Sequence, residues 1–168
     1  MPVAYENPIG QDQFVPAENN AVGEAGQELT KRIKDDLITI VLGSIYRYAQ
    51  ARRNQNRRRV YALARLPQNW DSYGAPAPNG TSVANAILVL NLLESLNFDP
   101  TRILPSAEGG IGICFVQGDR YADIECSNEG EVLGIYYAGA QMPALLETDA
   151  TGASISAALE RIRNHIRG

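Results

Sequence analysis

The stretch Ile111–Tyr137 reads IGICFVQGDRYADIECSNEGEVLGIYY, and its period of two decides the fold. Apolar and polar residues alternate on either side of Gly118-Asp119 and again across Glu129-Gly130, both dipeptides with turn chemistry. Taking Gly118-Asp119 as a two-residue hairpin loop sets Gln117 opposite Arg120 and pairs Phe115 with Ala122, Ile113 with Ile124 and Ile111 with Cys126. Treating Glu129-Gly130 the same way pairs Cys126 with Leu133, Ile124 with Ile135 and Ala122 with Tyr137. Each hairpin then gathers its apolar residues on one face, and a slip of one residue would turn each set over. Residues 102–138 are therefore expected to form an antiparallel meander of three or four strands. On this register Cys126 lies on the core face and Cys114 on the opposite face across from Asp123, so the two cysteines are not expected to bond.

Outward from the meander, the remaining elements read as helices. GASISAALERIRNHIRG near the C-terminus carries Ile155, Leu159, Ile162 and Ile166 as one stripe, which predicts a helix over 152–167 that covers the sheet. Asn79 or Thr81 can cap a helix over 80–96, apolar on nearly every side and so expected between the sheet and another helix. Leu29, Ile33, Leu37, Ile40, Val41, Ser44 and Tyr48 recur at three- and four-residue steps, and Val60, Leu63 and Leu66 resume the phase before Pro67. That predicts one long helix over 27–66, or two joined near Asn54–Asn56. Residues 1–26, with Tyr5, Ile9, Phe14 and Val15 as large apolar anchors, read as an irregular arm ahead of a single α+β domain over 27–168.

With 168 residues, 45% hydrophobic and 20% charged, the chain can bury a core without disulfides or metal. The net charge of −4 argues against bulk attraction to nucleic acid, but Arg47, Arg52, Arg53, Arg57, Arg58, Arg59 and Arg65 crowd a segment with no acid between Asp36 and Asp71. No apolar run is long enough to span a membrane, the N-terminus lacks a signal-peptide pattern, and two cysteines suit a reducing compartment. Cytoplasmic placement follows as the expectation.

Three candidate sites emerge. LPQNWDSYGAPAPNG, residues 66–80, holds the sole tryptophan: Trp70, Asp71 and Tyr73 form either a partner-binding loop or a rigid corner between two helices. Asp123 and Glu125 project from the outer face roughly 6–7 Å apart, with Cys114 and Tyr136 expected beside Asp123 and Gly112 and Gly134 beside Glu125. Such a pair suits acid–base chemistry or a hard cation, or else belongs to a solvated sheet face. Arg52, Arg53, Arg57, Arg58 and Arg59, with tyrosines nearby, suit phosphate contacts or a solvated face that pairs with an acidic protein.

The absences weigh more. His165 is the sole histidine, lysine is confined to Lys31 and Lys34, and no phosphate-binding, dinucleotide or CxxC motif occurs, so no cofactor or metal is expected. LPQNWDSYGAPAP, PSAEGGIGICF and DRYADIECSNEGEVLGI together resemble a family of small uncharacterised bacterial proteins, over roughly residues 66–135. The resemblance implies a bacterial or phage-borne origin and points to no particular activity. The leading expectation is a non-enzymatic interaction module that binds a protein partner, or itself as a homo-oligomer, through the long helix and the tryptophan loop. The alternatives are nucleic-acid binding by the Arg47–Arg65 segment, and a small enzyme using Asp123 and Glu125.

Overall fold

A computed structural model describes the backbone of residues 19–168 and the side chains from Gly23 onward; the anchors Tyr5, Ile9, Phe14 and Val15 lie outside these residues. The alternating stretch is pleated as its period requires. Strands β1 (Arg102–Pro105), β2 (Gly110–Gln117), β3 (Arg120–Ser127), β4 (Val132–Ala138) and β5 (Ala144–Glu147) form one antiparallel sheet in sequential order. The fold is α+β, with a meander one strand longer than expected. The added strand β5 is too short to show a period: only Leu146 points into the core, opposite Gly134.

The first hairpin has the predicted register, with Phe115 against Ala122, Ile113 against Ile124 and Ile111 against Cys126. Its six partners supply much of the core, all nearly inaccessible to water. The second hairpin is shifted by one residue. Cys126 pairs with Val132, not Leu133; Ile124 with Gly134, not Ile135; Ala122 with Tyr136, not Tyr137. The cause is the loop length. The Ser127 N–H bonds to Glu131 O at 2.9 Å, leaving Asn128, Glu129 and Gly130 as a three-residue loop, and Gly130 takes the left-handed conformation (φ +100°) that such a turn demands. An odd loop in place of an even one turns β4 over, so Val132, Gly134 and Tyr136 face inward and Leu133, Ile135 and Tyr137 face outward.

Helices α2 (Gly80–Ser95) and α3 (Gly152–Arg167) cover the inner face. Asn79 caps α2, its side chain accepting from the Thr81 and Ser82 amides, and Ala86, Val89, Leu90 and Leu93 are buried. The predicted stripe of α3, Ile155, Leu159, Ile162 and Ile166, is buried as well. Phe98 stacks on Phe115 with ring centroids 4.6 Å apart, and Arg167 lies over the Phe98 ring while donating to Asn97 O at 2.9 Å.

One continuous helix, α1 (Asn19–Leu63), replaces the alternative of two. Residues 19–26, expected to be irregular, belong to it, and it ends three residues before Leu66. The chain divides within this helix, between Arg47 and Tyr48, into two compact units. In the first unit every described side chain from Gly23 to Arg47 is exposed. In the second, Val60 and Leu63 join the core cluster with the sheet, α2 and α3. Among the described residues no helix is long and apolar enough to cross a membrane.

Candidate functional site

The tryptophan loop is knitted to itself. The Asp71 carboxylate accepts from the Tyr73 and Ala75 amides at 2.8 and 3.0 Å, and these bonds hold its pKa below the ordinary value. Asn69 Oδ1 accepts from Gly74 N, and the half-buried Trp70 donates from Nε1 to Pro76 O at 3.3 Å. Asn69 and Ser72 both adopt positive φ, as a tight turn of this kind requires. Of the three residues singled out, only Tyr73 is presented to solvent, 94% exposed.

What ties this loop to the sheet is Asn128, which sequence reasoning did not single out. Its Oδ1 accepts from Asn79 N at 2.8 Å and Ser82 Oγ at 2.9 Å, and its Nδ2 donates to Ala77 O at 3.0 Å. In return Asn79 Nδ2 donates to Asn128 O at 2.9 Å. The three-residue loop of the second hairpin therefore clamps the start of α2. Its signal in the sequence was an asparagine in a turn, too common to be specific.

On the outer face, Asp123 lies opposite Cys114 and Ile135, and Glu125 opposite Gly112 and Leu133. The expected glycine trough around Glu125 is therefore walled on one side by leucine. Tyr121 donates its hydroxyl to Asp123 Oδ2 at 2.8 Å and lies against Tyr137, centroids 5.0 Å apart. Burial raises the Asp123 pKa; the Tyr121 hydroxyl opposes that rise and the charge of Glu125 adds to it. Burial also raises the Tyr121 and Cys114 pKa values, and lifts Cys126 to about 12. Ser106 Oγ donates to Glu125. Both carboxylates are thus occupied by hydroxyls. Among the described residues no group of three His, Cys, Asp or Glu side chains is arranged to hold a metal ion.

The arginine segment divides into two sets by direction. Arg57 turns toward α2, pairing with Glu94 at 2.7 Å and Asn91 Oδ1 at 2.7 Å, and Arg53 lines a small recess with Glu94 and Asp99. Arg52, Arg58 and Arg59 instead line a groove of about 630 Å³ with Arg102 of β1 and Tyr48, Gln55 and Thr101. Arg59 Nε donates to Ile103 O on the free edge of β1, and Arg52 Nη2 to Pro100 O, both at 3.3 Å. Arg102 is the member that sequence proximity could not supply. It is distant in the chain and is brought in by the edge strand.

The belt Leu37–Tyr46 of α1 has no charged side chain. Leu37, Ile38, Ile40, Val41, Leu42 and Ile45 spread over about 200° of the helix circumference and are 54–61% exposed. The Thr39 and Ser44 hydroxyls are turned inward, donating to the carbonyls of Asp35 and Ile40 at 2.9 and 2.8 Å, so the belt offers almost no free donor.

No family model, curated protein or solved structure matches the chain.

Proposed function

We propose that the chain is a non-enzymatic interaction module whose Leu37–Tyr46 belt docks onto another protein, a second copy being the first occupant to test. The resemblance stated above supports a bacterial or phage setting, and the cysteine usage a cytoplasmic one. The single observation that carries the reading is the belt: six large aliphatic side chains left more than half exposed on a helix that buries none of them. An apolar surface of this extent marks an interaction site on a folded protein. Covering what remains exposed would contribute about 5–10 kcal/mol per chain. Two chains pairing by this face would gain about twice that, against about 4–15 kcal/mol for losing independent motion.

The flanking charges favour a second copy in antiparallel orientation. Asp35 and Asp36 precede the belt and Arg47 follows it, nearly symmetric about Val41. An antiparallel partner sets each Arg47 beside the other chain's aspartates, whereas a parallel one stacks like on like. The tryptophan loop, with Tyr73 bare beside internally bonded neighbours, is a second point of contact for the same partner class.

Light scattering tests this. The intact chain is expected at a mass above the 18.3 kDa of one copy, and Ile40→Glu/Ile45→Glu should return it to one. Asp36→Arg alone should weaken the pairing, and Asp36→Arg with Arg47→Asp should restore it. A single-chain mass at every concentration removes the second copy as occupant. If the wild type and the double glutamate variant then also bind an apolar fluorescent dye equally, the belt is no docking face and the reading fails.

A further inference from the structure

We propose that the groove between the second half of α1 and the edge strand β1 is a binding site for phosphate-bearing ligands, nucleotides or the phosphodiesters of single-stranded nucleic acid. This lies apart from the belt and does not depend on it. Arg52, Arg58, Arg59 and Arg102 all line one concavity whose lining contains no aspartate or glutamate. Like charges gathered this way repel unless an anion lies among them.

The site is also built in part before any ligand arrives. Arg59 and Arg52 are each anchored by one bond to a backbone carbonyl, Ile103 O and Pro100 O, which orients the fork while most of its N–H groups make no hydrogen bond to the protein. Asp99 approaches Arg52 only to 3.9 Å and touches none of the other three. By contrast, the short contacts of Arg57 to Glu94 and Asn91 account for that side chain as a structural tie between helices. The arginine run is therefore two devices on two faces of one helix.

Phosphate is favoured by the donors and the volume. Guanidinium forks match phosphate oxygens two bonds at a time, and about 630 Å³ is the size of a small-ligand pocket. Tyr48, 67% exposed at the groove's rim, offers a ring on which a base can stack, and Gln55, Asn56 and Thr101 add neutral hydrogen-bonding groups. The overall charge of −4 does not oppose this, because charges more than about 10 Å away are largely screened at 0.1 M salt.

The test uses the full chain and three probes: a labelled oligothymidylate, ATP without metal, and polyglutamate. Anisotropy or competition should show binding of the first two, falling with salt at a slope of about −1.4 to −2.8 in log–log form for two to four phosphate contacts with a single strand. Arg58→Glu/Arg59→Glu should weaken binding at least tenfold, with Arg53→Gln within twofold of wild type. ATP binding without oligonucleotide binding assigns the site to nucleotides, and stronger oligonucleotide binding with the steeper slope assigns it to strands. Should the double variant fail to fold by circular dichroism, Arg58→Gln/Arg102→Gln decides in its place. Three results overturn the proposal: neither phosphate probe binding at low salt, Arg53→Gln losing as much as the groove variants, or polyglutamate binding as tightly as the phosphate ligands.

Discussion

Replacing Asn128 by alanine should unlatch the tryptophan loop and the start of α2 from the sheet together. The side chain makes three hydrogen bonds, to Asn79 N, Ser82 Oγ and Ala77 O. At about 0.5–1.5 kcal/mol each, their loss comes to about 1.5–4.5 kcal/mol. Two of the abandoned groups recover partners: Asn79 is exposed to water, and Ser82 Oγ keeps Asn79 O at 3.0 Å. The expected loss is therefore about 2–3 kcal/mol. With a urea slope of about 2 kcal/mol per molar, the midpoint should fall by about 1–1.5 M, followed in parallel by circular dichroism and Trp70 fluorescence. Asn128→Asp separates acceptor from donor. It keeps both acceptor roles beside the α2 N-terminus, where a negative charge gains about 0.3–1 kcal/mol, and forfeits only the bond to Ala77. Its loss should stay under about 1 kcal/mol. An Asn128→Ala protein within about 0.5 kcal/mol of wild type, or an aspartate variant as damaged as the alanine one, would refute the latch.

Three further outcomes are expected. Gly110 has φ +138°, and a Cβ there would run into the Cys126 carbonyl and Ser127 Cα of the neighbouring strand, so Gly110→Ala should cost more than about 3 kcal/mol and cut soluble yield; a near-normal urea midpoint would show that the strand can shift. Cys126 is fully buried with its thiol pKa at about 12, and Cys114 is buried and raised as well. A thiol-specific reagent at pH 8 should therefore label the folded chain slowly and the urea-unfolded chain at both sites, and rapid native labelling would contradict the packing. The folded pKa of Asp123 lies above its ordinary 3.8, so the fold prefers the protonated form. That preference is fully present below pH 3.8 and is lost as the pH rises through the folded value. Asp123→Asn, which still accepts from Tyr121, should accordingly gain stability relative to wild type between pH 3 and pH 7 in parallel urea titrations, and a flat or opposite trend would rule this out.

Much of the candidate chemistry was visible as residue types and invisible as directions. Trp70, Asp71 and Tyr73 stand together in the chain, yet the internal bonds that occupy Asp71 and leave Tyr73 bare depend on the turn at Asn69 and Ser72. The arginines of 52–59 are plain in the sequence. Which of them meet Glu94 and which meet the edge of β1 depends on how the helix is rotated over the core, and consecutive residues on a helix point about 100° apart. Arg102 and Asn128 were missed because each acts on a segment far from it in sequence.

By itself, the sequence determined the α+β class, the stripe of α3 and the register of β2 on β3. In each case one arrangement buries apolar side chains and its neighbour exposes them, so the alternation is a strong signal. It did not determine the face of β4. In Val132–Ala138, VLGIYYA, both alternate sets are apolar, so hydrophobic burial cannot distinguish the two registers. That choice fell to the tertiary structure, where the Ser127–Glu131 pairing and the left-handed Gly130 admit a third residue to the loop. The same reason explains the outer sheet: leucine, isoleucine and tyrosine surround Asp123 and Glu125 because a turn, and not a hydrophobic pattern, set that strand's orientation.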